Sequence, residues 1–178
     1  MNSLDQTIAL LARTPGALDA LLRGLPDAWI RANEGENTWS SFDVVGHLIH
    51  CERTDWMSRA RILLEFGETR AFEPFDRFGH VQLVAGKSVG ELLGMFAGER
   101  AANLELLRSW KLPETDLAKR GRHPALGTLT LGELLNAWAA HDLNHLHQIS
   151  RVLAHQLREE IGPFPQYMGV MRCNAHGG

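Results

Sequence analysis

The sequence predicts an all-α protein, a four-helix bundle with long connecting loops. Three observations carry this. The seven prolines (15, 26, 74, 113, 124, 163 and 165) leave three long proline-free stretches, 27–73, 75–112 and 125–162. Each contains a segment of helical periodicity. Helix-start signals stand at the head of these segments, and no stretch shows a convincing strand alternation, a short ribbon within 119–129 aside.

The first element is read from Leu4 to about Leu25, with Leu18, Leu21, Leu22 and Leu25 on one face. Thr14-Pro15 inside it either kinks one helix or opens a second, with Thr14 as cap and Pro15 in the first helical position. Pro26 and the polar run 33–37 make a loop. The second helix is capped by Ser40 or Ser41, has Asp43 in its first turn and runs to Phe66, before Gly67. Val44, Val45, Leu48, Trp56, Ile62, Leu63 and Phe66 share one side at ~100° per residue. Residues 67–87 read as a long aromatic loop (Phe72, Phe75, Phe78) of the kind that binds or covers ligands.

The third helix starts at Ser88 with Glu91 completing a capping box, and runs to Trp110. A second long loop covers 111–129. The fourth helix is capped by Thr130 with Glu133 in another capping box, and runs to about Glu160, before Gly162-Pro163. The tail to Gly178 carries Phe164, Tyr167, Met168, Val170 and Met171, and much of it is expected to pack back on the body.

The 178 residues, 44% hydrophobic and 22% charged, suit one globular domain over 1–178. Eighteen Lys and Arg against 21 Asp and Glu give a net charge of −3. That balance offers no general attraction to nucleic acid or anionic lipid. No apolar run approaches the ~20 residues of a membrane span. Neither nucleic acid nor membrane is an expected partner. Cys51 and Cys173 are too few for a disulfide scaffold, and the first residues lack the basic and apolar regions of a signal peptide. The expected compartment is the cytoplasm.

Nine His are the unusual part of the composition. The richest run is His141-Asp142-Leu143-Asn144-His145-Leu146-His147-Gln148. His141 and His145, four apart, project from one helical face and can reach one metal ion. On the wheel of the fourth helix His145 and Asp142 fall within the apolar stripe, His141 at its shoulder, and His147 toward water. Two buried rings beside a carboxylate need partners, and a cation supplies one. A third ligand must come from another helix, and Gly46-His47-Leu48-Ile49-His50-Cys51-Glu52 is the best source. Periodicity alone nominates Glu52, in the middle of the stripe, before His47 at its edge. Cys51 can compete for a soft metal or serve as a small buried hydrophobe.

Trp39-Ser40-Ser41-Phe42-Asp43-Val44-Val45-Gly46-His47-Leu48, followed about ninety residues later by the His141–Gln148 run, resembles the DinB/YfiT-like superfamily of metalloenzymes. Gly162-Pro163-Phe164-Pro165-Gln166-Tyr167-Met168-Gly169-Val170 resembles the end of one branch of it. The resemblance implies an up-down-down-up bundle, commonly dimeric, with a divalent metal held by three His: His47, His141 and His145. Some members are transferases that use a low-molecular-weight thiol, or thiol-linked isomerases.

Under that resemblance Glu52 becomes a weak candidate for acid–base work, with an ion pair to Arg53 or Arg59 as its commoner role. Asp142 becomes a candidate for orienting a ligand or pairing with an Arg. Gln148 is a candidate to hydrogen-bond near the site. His123, on the second loop, can cover the metal or sit in solvent. His80, His155 and His176 have no constellation around them, and the five Trp read as core anchors.

Three imidazoles leave coordination positions open, and such a set suits zinc, nickel or iron(II). The expectation is a metal-dependent enzyme, a thiol-dependent transferase or hydrolase, acting on a small molecule with a thiol as possible cosubstrate. The alternative is a non-catalytic bundle that binds a small molecule or partner and keeps a structural or vestigial metal.

Overall fold

The computed structural model describes residues 3–173; His176 lies outside them. Its helices are α1 (Leu4–Leu11), α2 (Thr14–Leu22), α3 (Asp27–Arg31), α4 (Ser41–Thr54), α5 (Trp56–Phe66), α6 (His80–Val84), α7 (Val89–Ser109), α8 (Leu131–His155) and α9 (Gly169–Arg172). Strands β1 (Arg120–His123) and β2 (Gly127–Thr130) form an antiparallel hairpin pairing Arg120 with Thr130 and His123 with Gly127. Helix 1 of the bundle is α1 with α2, helix 2 is α4 with α5, and helices 3 and 4 are α7 and α8.

The starts predicted for three bundle helices hold. Ser40, Ser88 and Thr130 each accept from the backbone three residues on, and Asp43, Glu91 and Glu133 reach back to complete capping boxes. Elsewhere the elements are more broken than periodicity shows. Asp55 departs from helical geometry (φ −107°, ψ −79°) and divides helix 2. Helix 4 ends at His155, with turns from 156 to 160. The loop 67–87 contains a 3₁₀ turn and α6. The tail is anchored by buried Met171, while Phe164 and Tyr167 stay exposed.

Two apolar clusters fill the bundle, one toward each end. The first joins Ile8 and Leu11, Trp56 and Leu63, Leu104 and Leu107, and Leu131 and Leu134. The second joins Leu18 and Leu22, Val44 and Val45, Leu92 and Phe96, and Ile149. Helices 1 and 4 therefore run from the first cluster to the second, and helices 2 and 3 run the other way. This is the up-down-down-up order. Because helices 2 and 3 are parallel, the chain between them must travel back along the bundle, some 39 Å for a helix of helix 2's length. That is why residues 67–88 are so long a connection.

Two glycines let this crossover and the hairpin sit against helix 2. A Cβ on Gly46 would stand 2.3 Å from Val84 Cγ1, so only glycine admits α6 beside His47. A Cβ on Gly121 would stand 2.9 Å from Leu63 Cγ, so β1 lies directly on α5. The crossover is pinned to the hairpin by the Phe72 amide, which donates to the Arg122 carbonyl at 2.9 Å.

Between the apolar clusters lies one polar layer, to which each bundle helix gives a residue: Thr14, Glu52, Arg100 and Asp142. All four are buried. Arg100 donates to Glu52 Oε1 at 2.8 Å and to both Asp142 oxygens at 2.5 and 2.9 Å. Thr14 donates to Asp142 Oδ2 at 2.6 Å, and Trp138 Nε1 to Glu52 Oε1 at 2.9 Å. Asn103 donates to Glu52 Oε2 at 3.0 Å. Of the two alternatives at Thr14-Pro15, a second helix opens there, but Thr14 is not its cap. It is instead the first residue of α2, and its hydroxyl goes to the buried carboxylate, where a charge-assisted bond is stronger.

Candidate functional site

His47 sits on the second turn of α4, and His141 and His145 sit one turn apart on α8. Helices α4 and α8 pack on each other, which brings residues 94 positions apart into contact. His47 Nε2 lies 3.2 Å from His141 Nε2, which lies 3.1 Å from His145 Nε2. Each ring offers a ligand nitrogen within 4.8 Å of the others, so the three could hold a metal ion. Nitrogens at the ~2.0–2.1 Å usual for zinc–imidazole bonds stand about 3–3.4 Å apart at octahedral or tetrahedral angles, which matches these spacings.

The rings are held by their neighbours. His145 Nδ1–H donates to Gln148 Oε1 at 2.8 Å, leaving the Nε2 lone pair to face the other two. Trp39 lies 4.9 Å and Phe75 5.7 Å from the His47 ring, and Trp56 lies 5.1 Å from that of His141. His141 Nδ1 is buried and has no partner among the described residues. Burial first, then the neighbouring imidazoles, drive the pKa of His47 down to about 2 and that of His141 to about 3; burial also lowers His145. Three neutral nitrogens thus share one spot. One proton between them satisfies one pair, whereas a cation serves all three, so the donor set fits the metal that the resemblance implies.

The three rings line a cavity of about 690 Å³ walled by Trp39, Trp56, Pro74 and Phe75. Cys51 also lines it, with Sγ 3.4 Å from His47 Nε2; burial raises its thiol pKa, so it is held as the neutral thiol. Cys51 falls outside the group of mutually close ligand atoms.

The other sequence candidates divide. Gln148 reaches the site. Glu52 and Asp142 do not line the cavity; both are engaged in the polar layer, one residue away from Cys51 and His141. The ion pair expected for Glu52 exists, but its partner is Arg100 and not Arg53 or Arg59, which pair with Glu99 and Asp55. His123 lies on the hairpin in the cavity wall beside Arg59, apart from the three-His group. His147 is exposed, as the wheel predicts.

Sequence reading missed Arg100, although Leu93, Phe96, Arg100, Leu104 and Leu107 follow helical spacing and put a cation inside an apolar stripe. It also missed His80. That ring is buried, 4.9 Å from Trp39 and 6.2 Å from His47. Of the Trp residues read as core anchors, Trp56 does belong to the first apolar cluster, and both it and Trp39 also line the cavity.

The model of the DinB superfamily matches residues 10–149. The chain belongs to the DinB superfamily. YfiT from Bacillus subtilis, described as a probable metal-dependent hydrolase with an unusual four-helix bundle topology, superposes with a TM-score of 0.71 at 20% identity. The match covers 88% of this chain and 90% of that one. TT2238, a four-helix bundle protein, superposes with a TM-score of 0.56 at 25% identity, over 81% of this chain and 95% of that one. These likenesses establish the four-helix fold of this DinB-superfamily chain. No curated protein matches it. Among the described residues no helix is long and apolar enough to cross a membrane.

Proposed function

We propose that this DinB-superfamily protein is a metal-dependent enzyme of the thiol-transferase or hydrolase type, with His47, His141 and His145 holding a divalent zinc, nickel or iron ion. The convergence of three neutral imidazole nitrogens at the wall of a ligand-sized cavity carries this reading. A divalent ion held there acts as a Lewis acid and lowers the pKa of a water or thiol at its open position. Everything else falls to the chain. Gln148 fixes the His145 tautomer. Trp39, Trp56 and Phe75 hold the rings and keep bulk water from them. The polar layer behind the site has two carboxylates against one guanidinium, and that net negative charge favours a cation over an empty site. Glu52 and Asp142 serve there in positioning and charge balance. The substrate is a small molecule, and the working form we propose is a cytoplasmic homodimer. YfiT's description supports the hydrolase arm of the reading.

The test is elemental analysis of tag-free protein beside His141→Ala. Near-stoichiometric metal in the wild type and its loss in the variant are expected. Equal content in both defeats the proposal.

A further inference from the structure

The cavity has a second polar end, away from the three imidazoles. His47, Cys51, Asp55 and Arg59 follow one another at intervals of four along α4 and α5, and all four line the cavity. Arg59 follows His47 by twelve residues, across the break at Asp55, and marks the far end of that row. Its side chain is only 12% exposed, and its Nε pairs with Asp55 Oδ1 at 2.5 Å. That leaves Nη1 directed toward His123, 3.3 Å from Nε2.

His123 Nδ1 lies 3.1 Å from the backbone amides of both Ala125 and Leu126. An amide can only donate, so Nδ1 accepts, and the proton of the neutral ring is on Nε2. The opposite tautomer would gain one bond from Arg59 and set a ring N–H against two amide N–H groups. With Nε2 protonated, two bonds are made, and two donors, His123 Nε2–H and Arg59 Nη1–H, face each other in the cavity wall. An acceptor that both can reach resolves this. Desolvation and the guanidinium lower the His123 pKa, so the ring stays a neutral donor near pH 7. Arg77, which is exposed, also lines the cavity. Asp55 cancels one unit of charge here, so recognition rests on aligned donors more than on net field. Apolar walls of the same cavity are given by Trp56 and Phe75, which lie against the imidazoles, and by Pro74 and Pro124, the latter next to His123 in the chain.

We propose that Arg59 and His123 form a carboxylate-binding subsite, so that the substrate class is an organic acid whose apolar body spans the aromatic walls and whose other end reaches the three-His centre. This rests on the metal-site reading above for the reacting end only. His123 is then a specificity residue.

Metal-loaded protein titrated by calorimetry with mercaptohexanoate and with mercaptohexanol tests it. The wild type should prefer the acid by about tenfold or more. His123→Asn keeps a side-chain acceptor for the two amides and removes the reaching N–H. Arg59→Lys keeps a charge for Asp55 and removes the fork. Both variants should lose most of the preference while binding the alcohol as the wild type does. No preference in the wild type, or a preference intact in both variants, overturns the proposal. Metal-stripped protein titrated with hexanoate and hexanol, read by tryptophan fluorescence, separates the two readings. A hexanoate preference that His123→Asn abolishes supports the subsite even if no metal is ever taken up. Metal uptake with no acid preference in either format refutes the subsite and leaves the metal reading standing.

Discussion

His145 donates its Nδ1 proton to Gln148 Oε1 at 2.8 Å, three residues further along the same helix. The bond selects the tautomer whose Nε2 lone pair faces His141. Among the described residues it is the one such orienting bond from these three rings to a side-chain amide. Gln148→Leu should therefore weaken metal binding by roughly 10–100-fold, and Gln148→Glu should retain most of it. Competition against a chromophoric chelator measures this; equal affinity in Gln148→Leu would show that the bond is incidental.

Arg100 is the cation of a layer in which every bundle helix takes part. Arg100→Met leaves Glu52 and Asp142 buried with hydroxyl, indole and amide donors alone, and should cost about 3–5 kcal/mol. Thr14→Val keeps shape and removes one charge-assisted bond, so about 2 kcal/mol is expected. Urea unfolding ranks the two. A reversed order would mean that the layer is held by its neutral donors.

The clustered rings of His141 and His47 are neutral in the folded chain down to about pH 3 for His141 and lower for His47, whereas in the unfolded chain they protonate near pH 6.5. Below that pH the unfolded state binds more protons than the native state, so stability falls with falling pH. For metal-stripped protein the loss should begin near pH 6.5 and continue toward pH 3. The double variant His47→Ala with His141→Ala should show a shallower slope in melting temperature against pH. The same slope as wild type contradicts this.

Gly121 holds β1 on α5 because nothing larger fits above Leu63. Gly121→Ala should destabilise the protein by about 1–3 kcal/mol through overpacking. Because His123 is two residues on, the change should also weaken acid binding. Thermal melting and the hexanoate titration report the two effects; neither effect appearing would mean that Leu63 yields freely.

The bundle was legible where local rules decide. Ser40, Ser88 and Thr130 announce helix starts because a hydroxyl cap is a bond between near neighbours. The His141/His145 pair was legible for the same reason, being one turn apart. His47 was not preferred by periodicity, because a residue at the edge of an apolar stripe gains its meaning from the helix it meets. Glu52 lay in the stripe, and the cation that accounts for it stands 48 residues away. The break at Asp55 and the short α6 were missed because each is set by packing. His80 was judged isolated in sequence, yet Gly46 lets α6 bring its ring near His47.

Metal, if held by His47 with His141 and His145, acts as a rivet between the second and last helices of the bundle. The Arg100 cluster spans the same two helices, close by, with a salt link that needs no ion. Stripping the metal leaves this link, and the Trp138–Glu52 bond beside it, in place. The emptied protein should accordingly keep its shape and be reloaded with a different divalent ion without passing through an unfolded state, unlike small domains whose fold exists only with metal bound.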